Sequence, residues 1–65
     1  MEVLTWQARN ERNISLAQLE KLTGISKSTL NNIENGKVSP TIRQLELTAI
    51  ALETKITNLI RSEYL

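Results

Sequence analysis

Four polar side chains cluster in the middle of the chain: Lys27, Ser28, Asn31 and Asn32. Residues 26–35 have the marks of a short helix, opened by Ser26 and stopped by Asn35-Gly36. At 100° per residue, Leu30 and Ile33 then point inward. Ser28, Asn31 and Asn32 point outward, with Lys27 at one edge. Such residue types suit reading of base edges in a DNA major groove. Asn pairs two ways with adenine, Lys reaches guanine acceptors, and Ser fits either. A merely solvated helix face carries similar side chains. Asn is a poor helix former, however, so two adjacent Asn residues inside a helix call for a reason. Around this segment lie Ser26, Thr29, Asn35, Lys37, Ser39 and Thr41. Their hydroxyl, amide and ammonium groups, with nearby backbone N–H groups, suit phosphate contacts. Arg12 and Arg43 are weaker candidates of the same kind.

Catalytic chemistry is poorly supplied. The chain has no His and no Cys, so the commonest catalytic base and thiolate ligands are missing. No S-x-x-K, P-loop or clustered-carboxylate arrangement is present. The expectation is no enzyme, no cofactor and no metal.

The elements that must hold these side chains follow from composition and punctuation. Sixty-five residues allow one small domain, spanning 1–65. Ten Leu, seven Ile and two Val, with no Phe, favour close packing of helix on helix. No apolar run is long enough for a membrane span, and no signal peptide opens the chain, so a cytoplasmic protein is expected. The net charge of +1 leaves phosphate binding to local placement of charge.

Polar breakers divide the chain into five segments, each predicted to be helical. The first runs from Met1 to about Arg12 and stops at Asn13, with Trp6 as a partly buried packing residue. A capping box of Ser15 and Gln18 opens the second, whose inner stripe is Leu16, Leu19 and Leu22. Thr23-Gly24 ends it, and the third helix is the polar one described above. Thr41 and Gln44 form another capping box ahead of a fourth helix, which runs to about Leu52. Its inner stripe is Ile42, Leu45, Ala49 and Leu52. After a break at Glu53-Thr54-Lys55 comes a fifth segment with Ile56, Leu59 and Ile60. No strand alternation is visible, and the fold class is all-α. The second and third helices are joined by Thr23-Gly24-Ile25-Ser26. A turn of that length with Gly gives a steep helix crossing, the helix-turn-helix arrangement, over about residues 16–35.

Residues 14–40, ISLAQLEKLTGISKSTLNNIENGKVSP, resemble the helix-turn-helix of the phage-repressor-like (Xre) regulators. The string IENGK-x-x-P after a G-I-S turn is specific, and the chain follows that family's five-helix, lambda-repressor-like layout. The resemblance implies a sequence-specific DNA-binding transcriptional regulator that acts on double-stranded DNA, usually as a dimer. It also implies an internal ion pair between Arg9 and Glu34. Several positions depart from the family pattern. Glu20 stands where a small Ala is usual, so its carboxylate must turn outward or the helices must separate slightly. Leu16 replaces a phosphate-binding Gln, Asn13 a Gly, Thr48 an apolar residue and Ile50 a polar one.

Apolar side chains exceed what so small a core covers. Leu47, Ile50, Ile56, Ile60 and Tyr64, with Leu65 beside them, are the candidate surface of a homodimer. The expected function is a dimeric repressor that reads the major groove with its third helix. The alternative is a helical protein-interaction module, such as an antitoxin.

Overall fold

The computed structural model describes all residues, Met1–Leu65. Hydroxyl side chains decide where three of its helices begin. Ser15 opens α2 (Leu16–Thr23) and Thr41 opens α4 (Ile42–Ala51), each through a complete capping box with the Gln three residues on. Ser26 opens α3 (Lys27–Glu34) by accepting the Thr29 N–H. These bonds satisfy N–H groups that a helix start leaves free. Ahead of them lies α1 (Thr5–Glu11), which has no side-chain cap. It ends at Asn13, whose φ of 55° is left-handed.

The all-α class holds, but the count of five helices does not. There are four α-helices, and the fifth segment is a single 3-10 turn, Ile56–Asn58. The first helix also starts four residues later than its expected Met1. Glu2–Val3 form a short strand, β1, paired antiparallel with β2 (Ile60–Arg61). The Leu4 N–H then donates to the Leu59 carbonyl at 2.7 Å. Backbone pairing with the far end of the chain thus replaces the first turn of helix. A strand of two residues has no alternation to see.

The core comprises Ala8, Leu19, Ile25, Leu30, Leu45, Ala49, Leu52 and Leu59. Leu19, Leu52 and Leu59 are its largest fully buried side chains. Two residues expected in the inner stripes do not pack inward: Leu22 is 58% exposed and Ile42 70%. Trp6, expected to be partly buried, is 53% exposed. On α2 the inward line runs through Leu19 and Thr23, both buried, and leaves Leu22 to one side. On α4 it starts only at Leu45, a turn after Ile42, and continues through Thr48, Ala49 and Leu52. Thr48 fits there because its hydroxyl donates to the Gln44 carbonyl at 2.8 Å. No helix is long and apolar enough to cross a membrane.

Candidate nucleic-acid interface

The turn between α2 and α3 is closed by polar bonds. Thr23 is buried, and its hydroxyl donates to the Leu19 carbonyl at 2.7 Å and accepts the Ile25 N–H at 3.1 Å. Gly24 takes φ 77°, where any other residue is strained, and its N–H donates to the Glu20 carbonyl. Ile25 drops into the core. Glu20 then reaches across the turn, and its carboxylate accepts the Lys27 N–H at 2.8 Å. The departure at position 20 is thereby resolved: the carboxylate turns outward and caps the next helix.

The far end of α3 is tied down as firmly. The Arg9 guanidinium grips the Glu34 carboxylate with two hydrogen bonds, of 2.8 and 3.0 Å. Its remaining arm donates to the Ile14 carbonyl at 2.9 Å. Both side chains are largely removed from water, at 11% and 3% exposed. Hydrogen bonding to Glu34 holds the Arg9 pKa above its ordinary value, against the opposing effect of burial. The arginine's share of the pair is therefore fully present below the ordinary arginine pKa. It is lost only as pH rises through the raised value. One ion pair joins α1, the entry to α2 and the end of α3.

With both ends held, and with Leu30 and Ile33 buried, the rotation of α3 is determined. Lys27, Ser28 and Asn31 are exposed and Asn32 is half-exposed. The Asn32 backbone carbonyl accepts the N–H groups of Lys37 and Val38, which anchors the following loop to the helix. Gly36 makes that turn at φ 73°.

The other polar candidates fall into two groups. Ser26, Thr29 and Thr41 work in helix starts. The Ser26 hydroxyl donates to Thr29 Oγ1 at 2.9 Å, and Thr41 Oγ1 accepts the Gln44 N–H at 3.0 Å. Thr29 and Thr41 each keep a hydroxyl proton to donate. Asn35, Lys37 and Ser39 are exposed in the loop after α3. Asn35 and Ser39 also line a shallow depression shared with Met1 and Val3.

Charge is divided by residue type. All four arginines are ion-paired, with Glu34, Glu11, Glu46 and Glu2. Arg12 also donates to the Leu52 and Ala8 carbonyls, closing the ends of α4 and α1. The lysines, Lys21, Lys27, Lys37 and Lys55, have no carboxylate partner. Three of them belong to α2, α3 and the loop that follows.

Of the expected dimer residues, Leu47, Ile56 and Ile60 are half-buried against this chain's own core. Ile50 and Tyr64 are largely exposed. Sequence reasoning missed three positioning groups: Thr23, the Glu20 carboxylate and Arg12. Thr23 carried a readable signal, a hydroxyl residue directly before the turn Gly. Glu20 and Arg12 act across 7 and 40 residues, which only the fold brings together.

A family model described as helix-turn-helix matches residues 7–59, most of the chain. The chain belongs to the Xre-like helix-turn-helix family. This membership makes it a DNA-binding transcriptional regulator of double-stranded DNA, with a regulatory rather than an enzymatic role. Among solved structures, it is similar to the N-terminal DNA binding domain of SinR from Bacillus subtilis. The TM-score is 0.81 at 29% identity, over 94% of this chain and 90% of that one. No curated protein matches the chain significantly. The match begins within α1 and ends at Leu59, so it spans the whole Arg9–Glu34 lock, and the strands β1 and β2 lie outside it.

Proposed function

We propose that the chain binds its operator as a homodimer and represses by occupying it. In this reading α3 lies in the major groove and α2 spans the backbone. Lys27, Ser28, Asn31 and Asn32 read base edges: the amides take adenine, Lys27 takes guanine acceptors, and Ser28 fits either. Ser26, Thr29, Asn35, Lys37, Ser39 and Thr41, with nearby backbone N–H groups, hold phosphates and carry no sequence information. The observation that supports this most is the two-sidedness of α3. Its apolar side is buried and locked at both ends, while its other side offers short polar groups and an unpaired ammonium. Lys21, Lys27 and Lys37 are the free cations of this half, so few counterions are released per protomer and the salt dependence is shallow.

Dimerisation is proposed through Leu47, Ile50, Ile56, Ile60 and Tyr64. Ile50 and Tyr64 offer the exposed apolar surface, and the other three extend it from the edge of the core. Paired half-sites then lie about one helical turn apart, roughly 34 Å.

Selecting bound duplexes from a random pool tests the reading. Asn32→Ala is expected to cost about 1–3 kcal/mol on the selected duplex and little on random DNA. Lys37→Ala weakens both and lowers the salt slope by about 1. An unchanged preferred sequence in both Asn32→Ala and Ser28→Ala would overturn the assignment of α3. Sedimentation showing a monomer at high micromolar concentration, with and without the duplex, would overturn the dimer.

A further inference from the structure

The start of α3 is where two kinds of DNA contact compete. A helix N-terminus presents free backbone N–H groups and the positive end of the helix dipole, so it attracts an anion. The DNA backbone offers a phosphate there whatever the sequence. In this chain two of those N–H groups are already taken. The Lys27 N–H, first in α3, donates to the Glu20 carboxylate at 2.8 Å, and the Thr29 N–H donates to Ser26 Oγ. Glu20 belongs to α2, so its bond spans the turn and ties the two helices together. That is the only hydrogen bond its side chain makes, and the residue is half-buried. The Lys27 ammonium makes no ion pair with it and stays free.

Resting on the reading of α3 as the base-reading helix, we propose that Glu20 is a specificity-determining positioning residue. Its carboxylate, docked on the first N–H of α3, sets how Lys27 and Ser28 enter the groove. The same negative charge turns phosphate away from that helix end. Sequence-independent binding is thereby weakened more than binding to the operator, and the ratio between the two rises. The structural role and the electrostatic role belong to one side chain but respond to different substitutions. Gln retains a carbonyl oxygen to accept the Lys27 N–H and loses the charge. Ala loses both.

The test compares the wild-type chain, Glu20→Gln and Glu20→Ala on a selected duplex and on a random duplex of equal length, with amide exchange at Lys27. In Glu20→Gln the Lys27 amide stays protected. Affinity for random DNA rises roughly three- to tenfold, as expected for removing one repelling charge, and the selected-to-random ratio falls with it. In Glu20→Ala the Lys27 amide exchanges faster, the selected duplex binds more weakly, and the ratio falls further. If Glu20→Ala does not fold, Glu20→Gln decides alone, because it keeps the bond and changes the charge. A ratio equal to wild type in Glu20→Gln overturns the proposal while leaving the groove reading intact. A wild-type protein with no preference between the duplexes overturns both.

Discussion

The helix-turn-helix half and the terminal half of this molecule are held by different means. From Arg9 to Glu34, side-chain bonds join the helices and close the turn: Arg9 with Glu34 and Ile14, Thr23 within the turn, and Glu20 with Lys27. At the other end, β1 and β2 pair through backbone, and the Leu4 N–H meets the Leu59 carbonyl. One buried side chain, Leu59, anchors that end in the core. Its ion pair, Glu2 with Arg61, lies in solvent at 3.0 Å. Polar bonds are directional and hold α3 at one rotation and height. Backbone pairing plus one apolar anchor merely closes the chain ends on the core. The half proposed to read DNA is the half whose elements are cross-linked by side-chain hydrogen bonds.

Breaking the lock on each half should show the difference. Arg9→Ala leaves the Glu34 carboxylate buried without its partner, and a loss of about 3 kcal/mol is expected. At this size that lowers the Tm by more than 10 °C, at roughly 4–8 °C per kcal/mol. Arg61→Ala removes a wet pair and should leave the Tm nearly unchanged. Equal melting of the two variants would show that the Arg9–Glu34 pair does not hold the fold.

Leu59→Ala tests the terminal half. Deleting a fully buried Leu costs about 2–4 kcal/mol. Amide exchange at Leu4 should accelerate first, because its acceptor is the Leu59 carbonyl. Slow exchange retained at Leu4 would mean that the strands hold the chain ends without the anchor.

Gly24→Ala sharpens the account of the turn. An added Cβ meets nothing within 4 Å, so only the left-handed backbone resists it. The expected loss is about 1 kcal/mol, with α3 still able to bind the operator. A much larger loss in denaturant melts would reveal packing against the turn.

The smallest effect has the opposite sign. Thr5 is buried at the start of α1, and its hydroxyl has no hydrogen-bond partner. Thr5→Val replaces that hydroxyl with a methyl of the same shape and should raise stability by roughly 0.5–1 kcal/mol. A lower Tm would show that the hydroxyl is satisfied in solution.

Much of the interface could be read along the chain. Capping boxes at Ser15 and Thr41, the cap at Ser26 and the turn at Gly24 are local signals, because each bond closes within three or four residues. The inward rotation of α3 followed from Leu30 and Ile33 alone. The misreadings have a common cause. Leu22, Ile42 and Trp6 sit on helices whose period allows them to be inside, and only the neighbouring helices determine how wide the buried stripe is. The strand at Glu2–Val3 looked like helix because its partner lies nearly 60 residues away.

The sequence by itself therefore determined the starts of α2, α3 and α4, the turn and the chemistry on the outer side of α3, since those depend on near neighbours and on the helix period. Tertiary structure alone decided that Glu20 caps α3, that Arg12 reaches the Leu52 carbonyl at the end of α4 and that the termini form a ladder. Each of those joins groups on different elements, and no local pattern in the chain says which distant partner each will meet.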